Sequence, residues 1–441
     1  MKTIKSAFVY NLGIFYLLLS IAIAADARDD SVSKSFKWNY IVNSGATISL
    51  SNYDCDLTIT SSTGNNVVFE IFIDVEADDK EDLDDLVNYL ENLKYSSSSS
   101  NVRLNTTFWD SRNSKGNNSM RMKLKNGTTI NLKEIKIKAN LKLPKNVHFE
   151  LNSKYSSITM EDVQQLVLDS YDDDISGESV AGKVDIKAKY SEMNFHKLGP
   201  CKFDIYDSKI NAQKAENVKI QSKYSEITIG AIANLDVESY EDDLKFETTG
   251  DVKMNAKYSD FQSQTSGKLT LSIYDSDFNI DEIHELSISE SKYAGYTFQQ
   301  SGAVDVMQSY DDVFKISELP SLEVNNSKYS DYIFKDLGKY FEIEEGYDDN
   351  ITIQKTSSSF SHFEMNSKYG KVNLKIPDNV PLKIDWKTKH GNLDVDETQV
   401  KTKIKIKESS EFEYIGYRGG ESDSSPFIKI RGYDVKLKLT E

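Results

Sequence analysis

Two four-residue phrases alternate along the chain from residue 153 onward, and this repeat restricts the fold to one short unit stacked on copies of itself. One phrase is Ser/Ala-Lys-Tyr-Ser, at Ser153-Lys154-Tyr155-Ser156, Ala188-Lys189-Tyr190-Ser191, Ser222-Lys223-Tyr224-Ser225, Ala256-Lys257-Tyr258-Ser259 and Ser327-Lys328-Tyr329-Ser330. The other is x-Tyr-Asp-Asp/Ser, at Ser170-Tyr171-Asp172-Asp173, Ile205-Tyr206-Asp207-Ser208, Ser239-Tyr240-Glu241-Asp242, Ile273-Tyr274-Asp275-Ser276, Ser309-Tyr310-Asp311-Asp312 and Gly346-Tyr347-Asp348-Asp349. Units begin at 153, 170, 188, 205, 222, 239, 256, 273, 291, 309, 327, 346, 367 and 388, so steps of 17 or 18 stretch to 19, 21 and 21 at the end.

Within a unit the apolar residues keep a period of two, as Val218 and Ile220 and then Ile227, Ile229 and Ile232 show. That is a β-strand pattern. The apolar register slips by one across Ser222-Lys223-Tyr224-Ser225-Glu226, so each unit holds two short strands joined by a bend. A unit this short cannot pair with itself as a hairpin, but it can pair in parallel and in register with its neighbours. The expected fold is all-β, a right-handed parallel β-helix (β-solenoid) with ~17-residue coils about 4.8 Å apart, fourteen coils making a rod of roughly 65 Å. Hydrophobic residues make up only 38% of the 441-residue chain, against the usual ~45–50%, which fits the thin core of an elongated molecule.

Stacking explains why the phrases alternate. Like charges repeated every ~4.8 Å would repel by about 1 kcal/mol per step even at bulk dielectric. One column instead reads Lys154, Tyr171, Lys189, Tyr206, Lys223, Tyr240, Lys257, Tyr274, and the next reads Tyr155, Asp172, Tyr190, Asp207, Tyr224, Glu241, Tyr258, Asp275. Equal charges then lie ~9.6 Å apart, near the Debye length. Each lysine is expected between aromatic rings in cation–π contact, with acids diagonally beside it. The candidate binding strip is this ladder: Tyr155, Tyr171, Tyr190, Tyr206, Tyr224, Tyr240, Tyr258 and Tyr274 with Lys189, Lys223 and Lys257. The same ladder also reads as a self-satisfying structural surface.

Residues 1–24 read as a signal peptide. Lys2 and Lys5 precede an apolar run from Ile14 to Ala25 that ends in Ala22-Ile23-Ala24, a small-x-small cleavage pattern. Export to the periplasm, the extracellular space or the cell surface is expected, with no transmembrane span after cleavage. The formal charge of −17 then becomes −19, through loss of two lysines. Such an acidic balance argues against a nucleic-acid partner. Residues 25–145 read as an N-terminal coil and cap. Ile48–Ile59 matches the acidic unit with Asn52 in the register of Ser239, residues 67–75 form a strand, and Asp79–Lys94 forms one amphipathic helix over the open core. Ser96–Ser100 and Arg112–Ser119 read as polar loops, and residues 120–124 and 135–143 as strands. The repetitive solenoid spans 146–400, and 401–441, with Tyr414–Gly420 and Phe427–Leu439, reads as wider closing coils.

Ile48–Ile59, the Leu143-Pro144-Lys145-Asn146 lead, the Lys-Tyr-Ser/Gly units and the Gly419-Gly420 segment before the last β stretch together resemble the exported putative-adhesin β-helix proteins of Gram-negative bacteria. The resemblance covers nearly the whole chain after residue 24. It implies the β-helix and export, and adhesion or envelope-surface interaction only through the family's name. No functional residue carries over, and the strict Lys-Tyr/Tyr-Asp alternation departs from the family.

Catalytic signatures are missing from the sequence. There is no Gly-x-Ser-x-Gly elbow, no Walker loop and no His-Glu-x-x-His, and His148, His196, His284, His362 and His390 share no spacing. Cys55 and Cys201 form no disulfide framework. The enzyme alternative is a Ca²⁺-assisted, lyase-like carbohydrate site built on Asp172-Asp173-Asp174, Glu241-Asp242-Asp243, Asp311-Asp312 and Asp348-Asp349. Acidic coils ~9.6 Å apart are too distant to share one ion, no Arg lies between Arg121 and Arg418, and the acidic units are near copies of one another. The expectation is a non-catalytic binding or structural scaffold with no metal or cofactor, facing a polysaccharide or an envelope or surface protein.

Overall fold

The computed structural model describes residues 31–114, 119–420, 422 and 425–440, and the targeting segment expected at 1–24 lies outside them. Among the described residues, strands occupy 73% beside a single helix, forming a β-solenoid of about 13 turns at roughly 18-residue spacing. Neighbouring coils pair in parallel and in register: Ser222 opposes Ser239, Lys223 opposes Tyr240, and Ile227 opposes Leu244. The longer steps late in the repeat have a local cause. Registers shift between Leu271 and Ser272 and between Leu319 and Ser321, where one extra residue bulges out of the later strand while the bends stay aligned. Between Ile343 and Gly346 the extra residue lies on the earlier strand instead, and the two 21-residue steps hold the non-strand segments 354–361 and 376–381.

The coil around Ser222 shows how the sequence folds. Val218, Ile220, Ile227, Ile229 and Ile232 are buried as their alternation requires, and Ser222 and Ser225, on either side of the bend, also point inward. Lys223 and Tyr224 face out in succession, and so do the pairs Gly230-Ala231 and Ala233-Asn234, giving each coil three corners. At the first corner the second outward residue takes the left-handed conformation in every coil from Tyr155 to His390, with φ of 57° at Tyr224 and 54° at Glu241. A non-glycine residue there costs roughly 1–2 kcal/mol. The bend keeps its backbone paired all the same, because the Tyr224 amide donates to the Tyr240 carbonyl at 3.0 Å.

The residue after the left-handed one sends an oxygen into the core, where it accepts the corresponding amide of the preceding coil. Ser156 N donates to Asp173 Oδ1 (2.9 Å), Asp173 N to Ser191 Oγ (3.2 Å), Ser191 N to Ser208 Oγ (3.2 Å), Ser208 N to Ser225 Oγ (3.3 Å), and Ser225 N to Asp242 Oδ1 (2.8 Å). Ala294 lacks such an oxygen and interrupts the ladder, which resumes where its own amide donates to Asp312 Oδ1. Farther along, the interior fills with aromatic rings. Phe261, Phe278, Tyr296, Phe314 and Tyr332 stack at 4.7–5.6 Å with interplanar angles falling from 25° to 6°. The buried phenols of Tyr296 and Tyr332 pair with Ser291 and Ser327 Oγ.

Both ends depart from simple stacking. Thr47–Tyr53 pairs with His148–Lys154 and places Asn52 against Ser153, the register expected for this precursor coil. Asp56–Ser62 pairs with Thr129–Pro144, which is followed antiparallel by Asn66–Ala77 and then Ser31–Ile41. The helix runs Lys80–Glu91 with Asp79 as its N-cap, and it buries Leu83, Leu86 and Leu90. Lys94 falls beyond it. Arg112 to Ser114, expected in a loop, belong to strand Trp109–Ser114 in a hairpin with Met120–Leu124, where the Arg112 guanidinium meets the Asp54 carboxylate at 2.6 Å.

The closing segment does not continue in chain order. Phe427–Tyr433 lies between His362–Lys368 and Leu382–Lys389, parallel to both, so the last stretch of the chain is inserted between two earlier coils. Gly432, at φ +154°, sits where a Cβ would meet the Ser367 carbonyl oxygen at 1.8 Å, so glycine is what lets this coil fit. Tyr414–Gly420, expected as part of a closing coil, belongs largely to strand Glu411–Arg418, which packs antiparallel on Leu382–Lys389 and carries Lys401–Glu408 at its far side. Four lysines on that last strand, Lys401, Lys403, Lys405 and Lys407, mark a protected edge.

The oxygen ladder is directly testable at Asp242, whose carboxylate accepts from Ser222 Oγ, Ser239 Oγ, Ser225 N and Tyr240 N. Asp242→Leu should cost about 3 kcal/mol or more in denaturant unfolding, since it strands several buried donors. Asp242→Ser reproduces the neighbouring coils and should cost about 1 kcal/mol or less. Equal losses in the two variants would rule out an acceptor role.

Candidate functional site

The outward side of the bend carries the residues that the sequence singled out. Tyr155, Tyr171, Tyr190, Tyr206, Tyr224, Tyr240, Tyr258 and Tyr274 are brought together as consecutive members of one ladder, with centroids 5.4–5.8 Å apart and interplanar angles of 75–81°. The ladder continues from Tyr53 at one end through Tyr293, Tyr310, Tyr329, Tyr347 and Tyr369 to Tyr433, and His390 closes it. The geometry follows from the two columns. Tyrosines alternate between the first and second outward positions of the bend, so successive rings meet edge to face in a herringbone, an arrangement worth about 0.5–1.5 kcal/mol per pair.

This corrects one expectation. The rings pack on each other rather than around lysines, and of the bend lysines only Lys154 lies over a ladder ring, 5.9 Å from the Tyr171 centroid. Lys189, Lys223 and Lys257 have no carboxylate within 4.0 Å among the described residues, so the diagonal acids do not pair with them. Charge alternation at the bend works by separation. It is also confined there, because in the column just after the bend Glu226, Asp243, Asp260 and Asp277 follow one another in successive coils, with Lys245 beside the first two. Burial, and then Asp277 and Asp243, push the Asp260 carboxyl above its ordinary range.

A trough of about 570 Å³ runs beside the ladder, lined on one side by Lys189, Tyr206, Lys223, Tyr240 and Lys257 and on the other by Asp204, Gln221, Glu238 and Asn255. Three cations free of ion pairs, spaced two coils apart, alternate here with phenol rings. Burial first, and neighbouring phenols second, hold Tyr190 and Tyr258 above the ordinary tyrosine range, so both remain neutral hydroxyl groups. Ring faces, hydroxyls, ammonium groups and carboxylates in one extended trough suit a long polar ligand better than a small one.

The first two acids of each acidic run are divided between two environments. Asp172, Glu241, Asp311 and Asp348 face out in the left-handed position, whereas Asp173, Asp242, Asp312 and Asp349 are buried in the oxygen ladder. The buried set is therefore turned away from any polymer on the surface. Among the described residues no group of three His, Cys, Asp or Glu side chains is placed to hold a metal ion. Cys55 and Cys201 are both buried and unpaired, and burial pushes each thiol up to about 12. Reading the phrases alone overlooked a lysine column at Lys202, Lys219 and Lys253. Its signal was available in the Val218–Ile220 strand, where every outward position becomes a column once the coils are aligned.

No family model matches the chain, and no curated protein matches it. Two solved structures are similar. One is a putative cell adhesion protein from Clostridium sporogenes, 11% identical over 92% of this chain and 100% of that one, with a TM-score of 0.16. The other is a putative lipid binding protein from Parabacteroides distasonis, 12% identical over 75% of this chain and 96% of that one, with a TM-score of 0.18.

The buried carboxylates make stability depend on pH. Desolvation raises Asp312 and Asp349 from 3.8 to about 6 against the hydrogen bonds that favour the charged form. The folded state then holds these protons more tightly than the unfolded chain does, so their contribution is full below about pH 4 and is lost as pH rises through about 6. The difference in melting temperature between the wild type and an Asp312→Ser/Asp349→Ser variant should therefore change across pH 4–6, with the wild type gaining more on acidification. Parallel pH profiles would refute the assignment.

Proposed function

We propose that this chain is an exported, non-catalytic β-solenoid scaffold of the cell envelope or extracellular space that holds a polysaccharide along the Tyr–Lys face of its bend. The observation that carries this reading is the trough beside the ladder, where Lys189, Lys223 and Lys257 stand free of ion pairs and alternate with Tyr206 and Tyr240. A ladder serving stability alone has no need of unpaired cations at a fixed two-coil interval. Export is supported by the apolar run behind Lys2 and Lys5. Binding without chemistry is supported by the inward turn of Asp173, Asp242, Asp312 and Asp349, which removes one carboxylate from each acidic run that a lyase-like site would use.

A glycan array probed with the wild type and with Tyr190→Ala/Tyr224→Ala tests the reading, with circular dichroism confirming the fold of both. The double variant should lose its glycan signals by about tenfold or more, as expected when stacked aromatic contacts of ~1–3 kcal/mol are removed. Undiminished binding by the variant would refute the assignment of the ladder, and unsaturated product from a uronate polymer incubated with Ca²⁺ would refute the non-catalytic reading.

A further inference from the structure

A second trough, of about 620 Å³, lies on the same side of the solenoid but away from the bend, and none of the ladder residues lines it. Five lysines border it: Lys183, Lys202, Lys219, Lys253 and Lys268. Lys202 and Lys219 stand in adjacent coils, with Asp236 and Lys253 following in the same column. From the coil of Lys183 to that of Lys268 is five steps, or ~24 Å along the axis. Two of the lysines are engaged, Lys219 with Asp236 at 3.5 Å and Lys268 with Glu285 at 2.5 Å. Lys183, Lys202 and Lys253 have no ion-pair partner among the described residues.

The surroundings make this lysine group unusual. Residues 146–361 carry 20 Lys and Arg against 40 Asp and Glu, so the repeat region holds a charge of −20 while the whole chain totals −17. Within that acidic stretch the trough is lined by five lysines and only two aspartates, Asp236 and Asp251. Between them run the amides of Asn217 and Asn234, linked Asn234 Nδ2 to Asn217 Oδ1 at 2.8 Å, above the buried Val218 and Leu235. Lysine stems supply aliphatic walls and ammonium groups supply the rim.

We infer that this trough is a binding site for a linear acidic polysaccharide, a uronate-type chain lying along the solenoid axis with its carboxylates on Lys183, Lys202 and Lys253. Charge complementarity selects a polyanion, and the length of the trough selects an extended one. Its walls select a glycan over a peptide. The strands beneath are paired on both sides, so an extended peptide would find no free sheet edge for its backbone, whereas sugar hydroxyls can pair with the amides and the two aspartates. The inference stands apart from the reading of the tyrosine ladder, since the two troughs share no residue.

Polygalacturonate is the probe, with neutral dextran and poly-L-glutamate as comparisons, and binding is measured by calorimetry at low and high salt. The wild type should bind polygalacturonate, should bind dextran and poly-L-glutamate at least tenfold more weakly, and should lose affinity as salt rises. In the Tyr190→Ala/Tyr224→Ala background, which removes the bend as a second glycan contact, Lys183→Gln/Lys202→Gln/Lys253→Gln should weaken polygalacturonate binding by a further tenfold or more, and Lys183→Arg/Lys202→Arg/Lys253→Arg should restore it. Wild-type affinity in the glutamine variant overturns the proposal. Equal affinity for poly-L-glutamate overturns it too, by making the trough a site for acidic peptides. Loss confined to the tyrosine variant moves the glycan to the bend and refutes this site alone.

Discussion

The structure depends on one local arrangement, a left-handed residue at the bend followed by a side chain whose oxygen turns inward to accept an amide of the neighbouring coil. The left-handed residue lets two successive side chains face out, Lys223 and Tyr224 for example, and so resets the inside–outside alternation between the two strands of a coil. Repeating an unfavourable backbone conformation in every coil is costly. The arrangement recovers that cost by leaving the corner without an orphaned amide: Tyr224 N finds the Tyr240 carbonyl and Ser225 N finds Asp242 Oδ1. Because each acceptor belongs to the next coil, the bends are aligned with one another even where the strands between them bulge.

Two aromatic systems follow from that alignment, and they differ because their columns differ. Inside, Phe261, Phe278, Tyr296, Phe314 and Tyr332 share one column and stack nearly parallel. Outside, tyrosines alternate between two adjacent columns and meet edge to face. The outer packing consumes the ring contacts that lysines would otherwise have made. Lys189, Lys223 and Lys257 are left with free ammonium groups over a trough, so a rule that began as a way of keeping charges apart ends as a row of available cations.

The carboxylates show where sequence patterns stop being informative. Asp172 and Asp173 are adjacent and chemically identical, yet one is at the surface and the other accepts four hydrogen bonds in the interior, from Ser153 and Ser170 Oγ and from the amides of Ser156 and Tyr171. Period-two reasoning placed the apolar residues correctly and missed this, because the slip at the bend exchanges inside for outside at a point where only polar residues occur. The column Glu226, Asp243, Asp260 and Asp277 was equally open to reading, but the phrases drew attention to the bend and away from the strand that follows it. The lysines of the second trough were hidden for the same reason, being ordinary surface residues until the register sets Lys202 beside Lys219.

The chain's order of residues by itself determined the coil, its length, its parallel pairing and the identity of the exposed ladder, because a short repeated unit with period-two apolar residues can bury them only against its own copies. It also determined the precursor coil at Ile48–Ile59 and the helix at Lys80–Glu91. Tertiary structure decided what linear reading does not contain: that Phe427–Tyr433 slides between two earlier coils, that tyrosines pair with tyrosines rather than with lysines, and that two troughs with unpaired lysines lie on one side of the solenoid. The physical reason is the same in each case. Repetition specifies which neighbours a coil has, while the free energy of each side chain depends on atoms from coils 17 or more residues away, and only the stacked molecule brings those atoms into contact.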